Sequence, residues 1–145
     1  GEVVIQTYNT EDFSILAACK NDYNSFYEQV IQIRKRLGYP PFTDIAMIVL
    51  RGTRDRIVFE SAKEVKTLAE QRLKNYNCIG AFKILGPARA PIARMRNRYR
   101  WRIIIKGSNK EKLIDVLTDI SDVYNKKMKR NNVELSVDIN PQNML

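Results

Sequence analysis

Residues 98–106 constrain the fold of this chain more than any other segment does. Apolar and aromatic residues occupy every second position, and basic residues fill most positions between them. One set comprises Tyr99, Trp101, Ile103 and Ile105, and the other comprises Arg98, Arg100, Arg102, Ile104 and Lys106. Because successive side chains of a β-strand point to opposite faces, this alternation predicts a strand with one buried apolar face and one open basic face. The fold must therefore cover only one side of a sheet.

The rest of the chain from residue 43 onward alternates between strand-like and helix-like patterns. Apolar runs predict strands over 45–51, 82–85, 98–106 and 133–139. Apolar residues at helical spacing predict helices over 56–75 and over 110 to about 126. The segment 87–97 contains prolines and no helical period, so it is expected to be a loop or ribbon. The order β-α-β-β-α-β is that of a ferredoxin-like α+β domain with an antiparallel-containing sheet and both helices on one face.

The N-terminal part has its own pattern. A short strand is expected over 2–6, and Thr10 is a candidate cap for a helix that begins at Glu11. Asp22 suits the N-cap of a second helix, and Gly38 suits the stop that follows it.

The boundary between the two parts is expected at Tyr39-Pro40-Pro41-Phe42. This string must be extended, because proline disfavours helix in the residue before it. We therefore predict one part over residues 1–39 and a second over residues 40–145.

The sequence lacks the residues of common catalytic and metal sites. It contains no histidine, the commonest general base and metal ligand. Its two cysteines, Cys19 and Cys78, lie far apart, so no disulfide framework or zinc site is expected, and both fit small buried side chains in a reducing compartment. No phosphate-binding loop or nucleophile elbow occurs, and no apolar run reaches the roughly 20 residues of a membrane span. We expect a non-catalytic chain that needs no cofactor and does not bind membranes.

Positive charge is concentrated in one stretch. The net charge is +9, and residues 71–110 contain no Asp or Glu. Eleven basic residues lie in this window, whereas the rest of the chain holds 14 basic and 16 acidic residues. A surface that served only solubility would mix both signs, so this concentration predicts a polyanionic partner such as nucleic acid.

Arginine predominates among the candidate contacts. Its planar guanidinium can donate two hydrogen bonds to one phosphate. The candidates are Arg89, Arg94 and Arg96 of the ribbon together with Arg98, Arg100, Arg102 and Lys106 of the strand. A solvated basic face without a ligand is the alternative. Tyr99 and Trp101 are expected to pack in the core rather than to stack on bases.

Several strings, in order, resemble the C-terminal end of the primosomal protein N′ (PriA) family of bacterial replication-restart helicases. These strings are Gly1-Glu-Val-Val-Ile-Gln-Thr7, Asp22-Tyr23 with Phe26, Arg34, Tyr39-Pro-Pro-Phe42, Gly86-Pro87, Ala90-Pro91-Ile92, Arg94, Tyr99-Arg100-Trp101 and Val137-Asp138-Ile139 with Pro141. Asn140 departs from the family, in which an Asp is usual. The resemblance, and the missing initiator Met, imply a piece of a longer protein in which residues 1–39 end the second helicase lobe.

The resemblance implies functions that the composition does not. The intact protein would be a monomeric, ATP-dependent 3′-to-5′ DNA helicase of the bacterial cytoplasm and nucleoid, and its ATP, magnesium and zinc sites would lie elsewhere. Residues 40–145 would be an S10-like domain that binds forked DNA and works with other primosome proteins. By the same resemblance, Arg98 and Arg102 would bind the acidic tail of single-stranded DNA-binding protein.

Two other functions remain open. One is an S10-like RNA-binding or ribosomal module, and the other is an adaptor whose basic face holds only an acidic peptide. The N-terminal strings and the Tyr39–Phe42 connector speak against the first.

Overall fold

The computed structural model describes residues 1–76, 80–128 and 132–142. The chain divides into two compact units, Gly1–Gly38 and Tyr39–Leu145. None of the helices formed by the described residues is long and apolar enough to cross a membrane. The assignment of residues 1–39 to a helicase lobe stays a prediction.

The first unit is a pair of helices, α1 (Phe13–Cys19) and α2 (Tyr23–Leu37). The carboxylate of Asp22 caps α2 as predicted, accepting a hydrogen bond from the Ser25 N–H at 3.1 Å. Gly38 ends α2 with a φ of 60°, a left-handed conformation that glycine adopts without steric cost. The sequence thus predicted the whole of α2.

Other predictions for this unit were wrong. Helix α1 begins at Phe13 rather than Glu11, because Asp12 and not Thr10 caps it by accepting from the Ser14 N–H at 2.9 Å. Residues 2–6 form no strand, because no described strand pairs with them. Cys19 is exposed, since α1 buries only Ala17. Cys78 lies outside the described residues.

The second unit contains a four-stranded antiparallel sheet. Its strands are β1 (Asp44–Gly52), β2 (Phe82–Met95), β3 (Arg98–Gly107) and β4 (Val133–Ile139), arranged in the order β2-β3-β1-β4. Helices α3 (Asp55–Asn75) and α4 (Lys110–Val123) follow β1 and β3. This order confirms the predicted ferredoxin-like α+β fold.

Both helices pack on one side of the sheet, which we call the inner face. The core between them includes Ile48, Leu50, Ile103 and Ile105 from the strands, all fully buried. We call the opposite side of the sheet the outer face. It carries the side chains that alternate with the core residues along each strand, among them Arg98 and Arg100 on β3. The alternation in β3 therefore predicted both faces correctly, and Trp101 packs against the core.

Three segments of this unit differ from the prediction. Tyr39–Phe42 was expected to be extended, but it forms a turn in which the Phe42 N–H donates to the Tyr39 carbonyl at 3.1 Å. Strand β2 continues to Met95 instead of ending at Leu85, because it re-pairs with β3 after register shifts at Leu85/Ala88 and Arg89/Arg94. The prolines thus interrupt the ladder without ending the strand. Asn109 caps α4 as predicted, but regular α-helix stops at Val123 and a π-helical turn continues to Met128.

Candidate functional site

A groove of about 650 Å³ lies on the outer face of the sheet. It is lined by residues of β1, β3 and β4 and of the turn that joins β2 to β3. The lining residues are Met47, Val49, Arg51, Met95, Arg96, Arg98, Arg100, Glu134, Ser136, Val137 and Asp138. Four arginines and two acids line it, so the groove is positively charged.

Neighbouring strands place charges in one row across the groove. Arg51 on β1 lies directly opposite Arg100 on β3, and on its other side it lies opposite Glu134 on β4. Like charges directly opposite on one face destabilise a sheet. Sequence reasoning missed both Arg51 and Glu134, although the parity of Met47, Val49 and Arg51 along β1 could have placed Arg51 on the outer face.

Glu134 joins two of the arginines. Its Oε1 accepts a hydrogen bond from Arg98 Nη1 at 2.5 Å, and its Oε2 accepts one from Arg51 Nε at 2.7 Å. These bonds hold the pKa of Glu134 below its ordinary value of 4.5, and the bond from Arg98 has the larger effect. The side chain is therefore an anion at neutral pH, between two cations.

The groove brings together three of the predicted site residues. Arg96 lies in a tight turn with Asn97, and both have positive φ, 49° and 61°, as in the type I′ turns that join paired strands. Arg98 and Arg100 follow on β3, where Arg100 also donates to the Ile92 carbonyl at 3.5 Å. The turn and the strand thus present their guanidinium groups on the same side.

Two further predicted residues lie on the outer face but outside the groove lining. Arg102 is opposite Val49, and Lys106 is opposite Lys83 on β2. The ammonium of Lys106 also lies 4.0 Å from the centre of the Tyr39 ring, a cation–π contact. These residues continue the basic character of β3 toward its C-terminal end.

Arg89 and Arg94 lie on the side of the sheet that carries Trp101 and Tyr99. Arg89 is opposite Trp101, pairs with Asp55 at 2.6 Å, and has its guanidinium 5.1 Å from the Trp101 ring centre. Arg94 is opposite Tyr99, lies 5.0 Å from that ring centre, and hydrogen-bonds to Asn97. The fold therefore separates these two arginines from the groove.

Acidic side chains of other elements pair with arginines of the basic segment. Although residues 71–110 hold no Asp or Glu, Asp55 of α3 pairs with Arg89, and Glu134 of β4 pairs with Arg98. Asp119 of α4 lies 3.9 Å from Arg72. The segregation of charge along the chain is thus only partly kept in space.

The described residues contain no group of three or more His, Cys, Asp or Glu side chains that could hold a metal ion. The groove instead offers guanidinium donors, which suit phosphate or carboxylate oxygens.

The architecture defines a ferredoxin-like α+β domain with a basic groove. A de novo designed protein, Foldit4, shares the fold with a TM-score of 0.50 and 15% identity, over 70% of this chain and 99% of that one. Residues 35–142 match the family model of the primosomal protein N C-terminal domain. The chain therefore belongs to this family, which confirms the resemblance seen in the sequence.

Two relatives match along nearly the whole chain. The replication restart protein PriA of Bacillus subtilis is 31% identical over 147 residues, covering 100% of this chain and 17% of that protein. Replication restart protein PriA of Synechocystis is 33% identical over 141 residues, covering 97% of this chain and 16% of that protein. The chain thus spans about a sixth of the length of these relatives.

Proposed function

We propose that residues 39–145 bind the sugar-phosphate backbone of forked DNA through the groove. Arg51, Arg96, Arg98 and Arg100 would supply the main contacts. The observation that carries the proposal is the direct opposition of Arg51 and Arg100 across β1 and β3. Such a like-charge pair costs stability, and a phosphate bound between the two guanidinium groups would offset that cost.

The length of the basic strand supports the same proposal. Arg98, Arg100, Arg102 and Lys106 lie on one face of β3, and a strand rises about 3.3 Å per residue. The row therefore extends about 26 Å, long enough for several successive phosphates. Contacts of this kind position a backbone without reading its sequence. DNA as the ligand also agrees with the name of the relatives, which are replication restart proteins.

A direct comparison of ligands tests the proposal. We expect the domain to bind forked DNA more tightly than structured RNA of equal length, with affinity that falls steeply as salt rises. Reversing the charges of Arg96 and Arg100 should abolish fork binding, whereas the same reversal at Lys110 and Lys112 in α4 should change it little. Preference for the RNA would favour the ribosomal-type module, and a flat salt response would exclude backbone binding.

An acidic protein tail is a second candidate ligand of the same face. The observation in its favour is that Arg51 and Arg98 already hold one carboxylate, that of Glu134. Arg98 and Arg102 would bind the tail of single-stranded DNA-binding protein through its terminal carboxylate. The discriminating experiment compares the free-acid tail peptide with its amidated form. Fork binding that survives reversal of Arg96 and Arg100, with peptide binding lost, would identify an adaptor.

The longer protein would be the restart helicase itself. We propose that it hydrolyses ATP with magnesium and moves 3′ to 5′ on DNA. It would bind structural zinc outside these 145 residues. It would act as a monomer, with other primosome proteins, at the bacterial nucleoid. The present residues would be its non-catalytic binding part. ATP hydrolysis by this chain alone would contradict that division.

A further inference from the structure

The carboxylate of Glu134 lies between arginines of two strands, at a place where an external anion could bind. Each of its oxygens contacts a different arginine, with 2.5 Å from Oε1 to Arg98 Nη1 and 2.7 Å from Oε2 to Arg51 Nε. Two guanidinium groups that converge on separate oxygens of one group are the arrangement expected for a bound carboxylate or phosphate. Glu134 therefore marks where an external oxyanion would sit.

Solvent reaches all three side chains. Arg51, Arg98 and Glu134 are 51%, 39% and 41% exposed. Ion pairs at this level of exposure are weak, because water screens them. A multiply charged ligand can therefore displace the Glu134 carboxylate at small cost.

The register of the sheet keeps Glu134 beside the arginines. It lies directly opposite Arg51, which lies directly opposite Arg100. Any phosphate that enters between these arginines must approach the Glu134 carboxylate. Unless Glu134 turns away, the ligand meets a like charge in the groove.

We infer that Glu134 is an internal competitor for the anion site of Arg51 and Arg98. It fills the site when no ligand is bound, and a DNA phosphate replaces it. The inference rests on the proposed binding of DNA in the groove. Its consequence is selectivity: a single weak anion does not displace Glu134, whereas a polyanion that contacts several arginines at once does.

Replacement of Glu134 by glutamine tests the inference, since glutamine keeps the shape and removes the charge. We expect E134Q to bind forked DNA about two- to fivefold more tightly, because the ligand no longer has to break the two weak, exposed ion pairs of Glu134. The log–log slope of affinity against salt should stay unchanged, because DNA contacts the same arginines in both chains and the number of contacted phosphates is the same. E111Q is the matched control, because Glu111 lies in the first turn of α4 and carries the same charge; it should change affinity less than E134Q does.

A double-mutant cycle separates competition from a general charge effect. In an R98Q background the competitor has lost one of its two partners, so E134Q should give a smaller gain than in the wild-type chain. An equal gain in both backgrounds, or equal gains from E134Q and E111Q, would overturn the inference. Circular dichroism confirms folding, and E134D, too short to hold both arginines, provides a second variant that should bind DNA with intermediate affinity.

Inorganic sulfate provides a readout that does not depend on DNA. We expect sulfate to perturb the Arg51 and Arg98 side-chain NMR signals at lower concentration in E134Q than in the wild-type chain. If the wild-type chain binds no DNA but sulfate behaves as expected, the proposed function fails and the competitor remains. If DNA binds and sulfate perturbs the signals of both proteins at the same concentration, Glu134 is not a competitor and the proposed function remains.

Discussion

Trp101 donates its indole N–H to the Asp55 carboxylate at 2.9 Å, which ties β3 to the first turn of α3. The other oxygen of Asp55 accepts from Arg89 of β2 at 2.6 Å. The Trp101 ring packs against Phe59, with 4.4 Å between the ring centres. One carboxylate thus joins a helix to two strands on the side of the sheet away from the groove.

Asp55→Ala should destabilise the domain by about 1–3 kcal/mol, because the part-buried indole N–H loses its acceptor. The free energy of unfolding in urea measures the effect. Asp122→Ala is the control, since Asp122 pairs with the exposed Lys126 and should matter by less than about 0.5 kcal/mol. If both variants lose the same free energy of unfolding, Asp55 does not stabilise the domain by joining the helix to the strands.

Arg89→Gln and Arg100→Gln remove one charge each from opposite sides of the sheet. Arg100→Gln should weaken fork binding and lower the salt slope by about 0.7–0.9, because one phosphate contact is lost. Arg89→Gln should leave fork affinity within about twofold, because Arg89 pairs with Asp55 outside the groove. Fluorescence anisotropy over a salt series compares the two. A larger loss from Arg89→Gln would place the DNA on the inner side.

Glu134 gives the stability of the domain a dependence on acid pH. Its pKa is held below its ordinary value of 4.5 by Arg98 and Arg51, so the unfolded chain binds more protons near that pH than the folded domain does. The stabilisation is therefore fully present above about 4.5 and is lost as pH falls through the lower folded value. Urea unfolding between neutral pH and about pH 3 should show a smaller loss of stability for Glu134→Gln than for the wild-type chain. Identical pH profiles would exclude this contribution.

Asn140 links the ends of β4 and β1 in a way that an aspartate cannot. Its Oδ1 accepts from the Ile45 N–H at 2.9 Å, and its Nδ2 donates to Asp44 Oδ1 at 2.9 Å. Asn140→Asp would oppose two carboxylates and should cost about 1–3 kcal/mol at neutral pH. The swapped pair Asp44→Asn with Asn140→Asp should recover most of that stability, because the amide introduced at position 44 could then donate. Absence of recovery in urea unfolding would show that the link does not depend on this pair.

The sequence predicted features that depend on local rules. The cap of α2, its glycine stop and the two faces of β3 all follow from neighbouring residues, and all are confirmed. The extent of β2 did not follow, because its second half is held by pairing with β3 across two register shifts. The strand predicted over residues 2–6 is absent for the converse reason. No strand among the described residues pairs with them, and strand propensity alone forms no sheet.

The candidate site was predictable only in part. The alternation of apolar and basic residues along β3 placed Arg98 and Arg100 on the face away from the helices. Arg51 and Glu134 join them through strand register, which links residues more than 30 positions apart, and no local pattern reveals such partners. Whether these arginines bind DNA, an acidic tail or both stays a prediction.

Strand β2 has a consequence for how copies of the domain behave at high concentration. It forms one edge of the sheet, runs for 14 residues and contains Pro87 and Pro91, which have no N–H to donate. Two register shifts also break its regular course. A long straight edge would template a strand from another molecule, whereas this interrupted edge cannot present a continuous row of donors. Pro87 and Pro91 therefore disfavour edge-to-edge pairing of this strand with a strand of another molecule.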